Sequence, residues 1–414
     1  MTTSDLSSNT GLTMENIVRK TCRLCGSDRL EDVISIGNQF INDFPDNPSQ
    51  KGRNGKCPLD VVHCNNCDLF QLRHTAPQEL LYSRHYWYKS GINETIKRDL
   101  QEVAEVAIDI AKLTPADVVL DIGANDGTML SNLTGKAITV GCEPASNLQK
   151  ELQSNCDHII PDFWTYENYE KLGLPKARVI TALGMFYDME DPNQFIRDAA
   201  RVLADDGVFI AQLMTLKPML DNNDLGNICH EHLEYYTYRS LTYLFENNGL
   251  EIYKIEENSI NGGSYRIFAR HLDQGSIEWE ENYTNKDLVA FKQRLDRNRD
   301  LCRNYIKDAL GKGKKIYGYG ASTKGNCILQ YYDIGSEDII AVADKNPEKW
   351  GKYTLTDIPI VSEDEARAAA DIFLILPFGF TEEFVRRELG WLASGGTFIV
   401  PLPNFREITI RDVK

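Results

Sequence analysis

From residue 91 apolar positions recur at helical spacing through NETIKRDLQEVAEVAIDIAKL, and the pattern then changes to a short apolar run and a glycine-rich turn, ADVVLDIGANDGTMLSNL. This predicts a helix, a strand over Val118–Ile122, a tight loop, and a further helix opened by Thr128. Gly123 and Gly127 let the backbone come close to a ligand, and the free N–H groups of the helix start face the loop. AITVGCEP predicts a second strand ending at Glu143, ARVITALGMFYDMEDP a strand running into a loop, and GVFIAQLM (207–214) another strand. Strands alternating with helices describe a doubly wound parallel sheet, whose ligands lie at the carboxyl ends of its strands. A charged helix, NKDLVAFKQRLDRNRDLCRNYIKDALGKG, separates this from a second strand, glycine loop and helix, KKIYGYGASTKGNCILQYY, continued by DIIAVADKNP, DIPIVSED and DIFLILPFG. The repeated pattern predicts a second, smaller Rossmann-like unit. The expected class is α/β, with an amino-terminal module over 1–90, a central ligand-binding domain over 91–310 and the smaller unit over 311–414.

Composition narrows the partners without altering this outline. At 414 residues and 42% hydrophobic content the chain can bury more than one core, in keeping with two or three domains. Lys+Arg of 45 against Asp+Glu of 61 leaves a net charge of −16, which repels phosphate backbones and anionic lipid. Neither nucleic acid nor membrane is therefore an expected partner. The opening MTTSDLSSNTGLTMENIVRK lacks an apolar signal region, and no run reaches the roughly 20 apolar residues of a membrane span, so a cytoplasmic location is expected.

The ten cysteines are too sparse for a disulfide scaffold, but four of them form two C-x-x-C pairs, Cys22 with Cys25 in CRLC and Cys64 with Cys67 in CNNC. Two such turns supply the four thiolates of a closed structural zinc site, which leaves no position open for chemistry. The 38 residues between Cys25 and Cys64 exceed a compact zinc ribbon, so the intervening chain must make a long excursion. A redox dithiol is the rival reading of either pair, though neither follows a strand in a βαβ setting. Cys57 and His63 flank the second pair and are legitimate zinc donors, but they lack a partner at turn spacing. Cys57, Cys142, Cys156, Cys229, Cys302 and Cys327 are scattered and read as small core residues.

Ligand chemistry concentrates in three further places. The DIGANDG loop, with Gly123, Asn125, Asp126 and Gly127, lacks the G-x-G-x-x-G spacing of a dinucleotide site, while Glu143 stands where a carboxylate accepts both ribose hydroxyls. A surface glutamate is the plainer reading of Glu143. Just after GVFIAQLM, Cys229, His230, Glu231 and His232 run into LEYY; a metal pair, a solvated helix start and buried structural histidines are the alternatives to catalysis. In the last unit Gly318, Gly320 and Gly325 make a flexible turn with Lys324 and Asn326 at the helix start, suited to a diphosphate, and a strand ends at Asp344. A scaffold without a ligand is the alternative there. Arg266 of NGGSYR is placed to meet phosphate or a ring oxygen.

Taken in order, CRLCGS, CNNCDLFQL, DIGANDG, ICHEHLEYYTY, NGGSYR, GYGASTKGN and ADKNPEKWG resemble, over the whole chain, the sugar C-methyltransferases that act on nucleotide-linked deoxy-ketosugars. VVLDIGANDGTML is similar to the first motif of class I methyltransferases, and Glu143 to their ribose-binding acid. The resemblance implies a small zinc module, a central class I methyltransferase sheet and a carboxy-terminal Rossmann-like unit, with S-adenosylmethionine as methyl donor and a nucleotide-linked sugar as acceptor. It implies that Asp162 and Phe163 lie at the adenine, that residues 182–184, Leu183 among them, lie beside the cofactor, and that His232 is the base. Forming a carbon–carbon bond needs a nucleophilic carbon, most simply an enolate, and imidazole is the side chain best matched to forming one near neutrality. His230 and Glu231 then position the sugar or orient His232, with Tyr86 and Tyr88 of HYWYKSG binding hydroxyls or the enolate oxygen. Cys229 stands where many relatives have tyrosine. The rivals are O-methylation on the same scaffold and a non-catalytic, zinc-containing sugar-nucleotide-binding protein.

Overall fold

In a computed structural model the structure describes residues 16–77, 80–81 and 86–413. The first fifteen residues of the opening segment, and His85 of HYWYKSG, lie outside the described residues. The excursion between the two cysteine pairs is an antiparallel hairpin: Leu30–Phe40 folds back on Lys56–Cys64, with Leu30 opposite Cys64 and Phe40 opposite Lys56. A hairpin returns its end to its start, so the long insertion brings the second C-x-x-C back to the first. Phe70–Leu72 and then Glu234–Tyr235 extend this into a four-stranded sheet. The last strand comes from the central part of the chain and covers an edge whose N–H and C=O groups would otherwise be unpaired.

The central sheet has seven strands in the order Leu250–Asn258, Ser264–His271, Leu203–Leu213, Ala177–Leu183, Val118–Ile122, Ile138–Cys142, His158–Ile160. The last five run parallel, and all five residues of Val118–Ile122 are buried, as in a sheet covered on both faces. The strands read from the sequence are the parallel ones, and the sheet continues beyond them at one edge, where Ser264–His271 is antiparallel to both neighbours. The reason lies in the connection: so short a turn between Leu250–Asn258 and Ser264–His271 can join only antiparallel strands, and the glycines of NGGSYR make it at positive φ. Strand order reverses between Val118–Ile122 and Ala177–Leu183, the place where such sheets open a crevice.

The helix Asn285–Gly311 leads to a six-stranded sheet ordered Ile360–Ser362, Val342–Asp344, Ile316–Tyr319, Ile372–Ile375, Thr397–Val400, Arg406–Ile408, parallel except for the final strand. Leu288, Phe291, Leu295 and Ile306 of that helix share one apolar core with Ile34 and Leu59 of the amino-terminal hairpin, Ile228 and Leu233 around the HEH motif, and Ile316 and Leu374 of the last sheet. Burying side chains such as Ile228 and Leu233 contributes roughly 1.5–3 kcal/mol each, so the HEH segment is anchored where all three parts of the chain meet. No helix among the described residues is long and apolar enough to cross a membrane.

Candidate active site

Each cysteine pair closes a tight turn that ends at positive φ, at Gly26 and at Asp68, whose N–H groups donate to the Cys22 and Cys64 carbonyls at 3.0 and 2.9 Å. The sulfur atoms of Cys22, Cys25, Cys64 and Cys67 lie within 4.8 Å of one another. Contacts at 3.5 Å run between the pairs, Cys22 to Cys67 and Cys25 to Cys64. A tetrahedral zinc with bonds of about 2.3 Å has sulfur–sulfur edges of about 3.8 Å, so the set fits the metal, and the cross-pairing favours it over an isolated dithiol. Cys57 and His63 stay apart from it. The buried Cys57 thiol is pushed up to about 12 by burial, and His63 stacks on Phe70 with Nε2 2.8 Å from Asp68 Oδ1.

At the switch point of the central sheet lies a cavity of about 370 Å³, lined among others by Gly123, Asn125, Glu143, Phe163, Leu183 and Asp188. Gly123 has φ +73°, and a Cβ there would strike Met185 at 2.6 Å. The helix after the loop is only one turn long, Thr128–Ser131, so backbone shape counts for more here than a helix dipole. Glu143 accepts from the N–H groups of Asn125 at 3.0 Å and Ala145 at 2.8 Å, one on each oxygen, and burial raises its carboxyl pKa. Each oxygen keeps acceptor capacity, which together with the apolar wall of Phe163, Trp164 and Leu183 suits a nucleoside with its ribose hydroxyls. Asp126 works within the loop: its carboxylate accepts from Thr128 N and Oγ1 and from Gly91 N, the last at 2.7 Å. Gly127, at φ +78°, caps the short helix, and Asp162 accepts from Phe163 N at 2.8 Å. Tyr86, Tyr88 and Ser90 form one wall, tied down by Asn147 to Tyr86 and by Asn125 to the Tyr88 carbonyl and Ser90 N–H. Replacing Glu143 by Ala is expected to weaken S-adenosylmethionine binding by roughly 1.5–3 kcal/mol with the fold intact. Unchanged affinity in calorimetry would take Glu143 out of the site.

Behind this cavity sits the HEH segment. His232 Nδ1 lies 2.9 and 3.0 Å from the side-chain and backbone oxygens of Asn227; a carbonyl only accepts, so Nδ1 carries the proton and Nε2 the lone pair. Burial, with the Lys324 ammonium adding to it, pushes His232 down to about 3, so the ring is neutral at physiological pH. Its edge packs against Tyr187, 4.5 Å between centroids, and Tyr187 adjoins the cavity-lining Asp188. His230 donates from Nε2 to the Cys57 carbonyl at 3.0 Å, leaving an enclosed Nδ1; it is 1% exposed against 9% for His232. Glu231 accepts from Asn42 at 2.7 Å. Burial raises the Tyr86 phenol pKa well above its ordinary value, and the charges of Asp188, Glu231 and Glu143 reinforce this, so Tyr86 is a proton-bearing donor between the cavity and the motif. The buried Cys229 thiol is likewise held protonated by burial.

The carboxy-terminal unit presents its glycine-loop helix, Thr323–Tyr332, to this segment. Lys324 Nζ lies 2.9 Å from Met214 Sδ and 3.6 Å from Asp224. Gly320, at φ +85°, packs so closely on Pro377 that a Cβ would meet it at 2.6 Å. Asn326 is consumed inside the protein: it donates to Asn42 at 2.9 Å and accepts from Leu355 N at 3.2 Å. Asp344 accepts from Asn346 N at 2.7 Å and faces Lys349 at 3.6 Å. Arg266 lies under the central sheet's edge, its guanidinium on Asp99 at 2.9 Å, Glu102 at 2.8 Å and Gln212 at 2.9 Å. The residues that orient the site and that motif reading missed are Asn42, Asn147, Asp188 and Asn227. Only Asn227, five residues before His232, had a local signal.

A switch-point cavity with a carboxylate at the end of the second strand is the nucleoside site of doubly wound folds, the class I, S-adenosylmethionine-dependent methyltransferases among them. Family models match for a zinc-binding domain over 22–82, a methyltransferase domain over 88–255 and a C-methyltransferase C-terminal domain over 259–403. C-methyltransferase NovU of Streptomyces niveus is 30% identical over 420 residues, spanning 96% of this chain and 99% of that protein. Among solved structures, the mitomycin 7-O-methyltransferase MmcR is 15% identical with a TM-score of 0.35, covering 43% of this chain and 54% of that one. Magnesium protoporphyrin IX methyltransferase of Synechocystis PCC 6803 is 14% identical with a TM-score of 0.35, covering 44% and 88%. The chain belongs to the family of zinc-containing, S-adenosylmethionine-dependent C-methyltransferases that includes NovU. Of the activities open from the sequence, transfer to carbon is the one this family carries.

Proposed function

We propose that the acceptor is a nucleotide-linked deoxy-ketosugar, methylated at the carbon beside its ketone after His232 removes the proton there. The observation that carries this reading is the neutral His232, fixed through Nδ1 by Asn227, set between the cofactor cavity and Lys324 of the second Rossmann-like unit. S-adenosylmethionine supplies the electrophilic methyl group; Glu143, Asn125, Gly123, Phe163 and Leu183 hold it, with Asp126 and Gly127 shaping the loop and Asp162 flanking the adenine. His232 accepts the α-proton on Nε2. The ammonium that disfavours the imidazolium also favours an enolate beside it, so Lys324 offsets the low basicity of the ring. Tyr86, kept protonated by burial and its acidic neighbours, donates to the enolate oxygen, and Tyr88 bounds the sugar, while His230, held on the Cys57 carbonyl, positions the segment that carries His232. Glu231 is held by Asn42 to orient the acceptor. Gly320 and Lys324 receive the anionic nucleotide end, with Asn326 and Asp344 acting from behind through Asn42 and Lys349, while Arg266 is spent on Asp99, Glu102 and Gln212 and takes no part in binding the acceptor.

The test is methyl transfer from methyl-labelled S-adenosylmethionine to a nucleoside-diphosphate ketosugar and to the same sugar without its nucleotide. Product NMR is expected to show a methyl group on carbon for the linked sugar and little product from the free one. A methoxy signal, or equal turnover of the free sugar, would overturn the assignment.

A further inference from the structure

We propose that Arg23, inside the first zinc turn, couples the metal site to the cofactor cavity, so that zinc positions one wall of that cavity as well as holding its own module together. The guanidinium is enclosed. It donates to Gln71 Oε1 at 3.0 Å, to the Leu72 carbonyl at 2.6 Å, to Thr75 Oγ1 at 2.5 Å and to Glu190 Oε2 at 3.2 Å, and it lies 3.7 Å from Glu234. Thr75 passes the contact on, donating to the same Glu190 oxygen at 3.0 Å. Arg19 also pairs with Glu190 and donates to its carbonyl at 3.0 Å. Asn193 donates to the Leu24 carbonyl of the zinc turn at 2.8 Å.

The receiving loop belongs to the cofactor site, because Met189, Glu190 and Asp191 all line the cavity. Glu234 accepts from Met189 N at 3.3 Å, and its strand begins two residues after His232. One largely enclosed polar cluster around Arg23 thus joins the zinc turn, the cavity wall and the end of the HEH segment. A buried ion cluster contributes little net stability compared with apolar packing, but it fixes geometry, and the planar guanidinium fork does so with little freedom left to lose. Thiolates gathered on the metal fix the turn of residues 22–25, and with it the backbone from which that fork projects.

Coupling between two sites is reciprocal, so cofactor binding must also protect the zinc. In the zinc-loaded enzyme, saturating S-adenosylhomocysteine is expected to slow zinc removal by a chromogenic chelator by about 5-fold or more, the low end of typical coupling. Arg23→Lys and the near-isosteric Thr75→Val are expected to keep about one zinc per chain while weakening S-adenosylhomocysteine binding about 5–50-fold and erasing most of the protection. The KM for S-adenosylmethionine should rise more than kcat falls. Equal zinc loss with and without S-adenosylhomocysteine in wild type overturns the coupling. Full protection retained in both variants overturns its route through Arg23.

Discussion

Replacing His232 by Gln is expected to cut turnover by roughly 10²–10⁴-fold, the usual contribution of a general base, with S-adenosylhomocysteine affinity near wild type. The side chain removed lies behind Tyr187 and does not line the cofactor cavity, so donor binding and proton abstraction separate cleanly. Because His232 is pushed down to about 3, lowering the pH through 6.5 does not protonate it in the free enzyme. The kcat/KM profile should therefore show no acidic limb from this residue near 6.5, and activity tied to it should fall only as the pH approaches 3. Isotope exchange tests the step itself. With S-adenosylhomocysteine bound in deuterated water, wild type and a His230→Asn variant should label the α-carbon of the ketosugar, and His232→Gln should not. Exchange that survives in His232→Gln and vanishes in His230→Asn would transfer the role to His230; survival in both would point to Tyr86 or Tyr88.

Cys64→Ala is expected to reduce the metal content from about one zinc per chain to nearly none. Structural zinc sites in small peptides bind with apparent free energies of about 10–16 kcal/mol at pH 7, so three remaining thiols on a loosened turn should not retain the ion against a chelator. Cys64 also ends the strand that pairs with Leu30, so the loss should spread into the hairpin. The expected reading is a markedly lower melting temperature and proteolysis of the amino-terminal module. Cys57→Ser serves as the control, since that thiol lies outside the four-sulfur set, and it should keep its zinc. Metal retained in full by Cys64→Ala would contradict the four-thiolate site.

The elements and the zinc ligands were legible because their signals are local. A C-x-x-C turn, a run of apolar residues ending in Gly123, and a strand ending at Glu143 each depend on residues a few positions apart, and steric preference alone nearly decides their backbone. The antiparallel edge was less visible: the glycines of NGGSYR signal a turn, but their pattern does not say which strand the returning chain will pair with. Arg266 reads in isolation as an anion binder, yet packing places Asp99 beneath it, so its charge is satisfied within the protein.

By itself, then, the sequence determined two glycine-loop units behind a paired-thiolate module, and with them the candidates for donor binding, base and metal. Tertiary structure alone decided which of those candidates work together. Asn42 reaches Glu231 across 189 positions, Arg23 reaches Glu190 across 167, and Asn326 reaches Asn42 across 284. No pattern along the chain encodes such pairs, because a hydrogen bond or ion pair gains its value only after burial has removed competing water and packing has set the angle between groups. The same is true of His232: its ring chemistry is written in the residue type, but its neutral state and its free nitrogen exist only because Asn227, Lys324 and the surrounding core meet there.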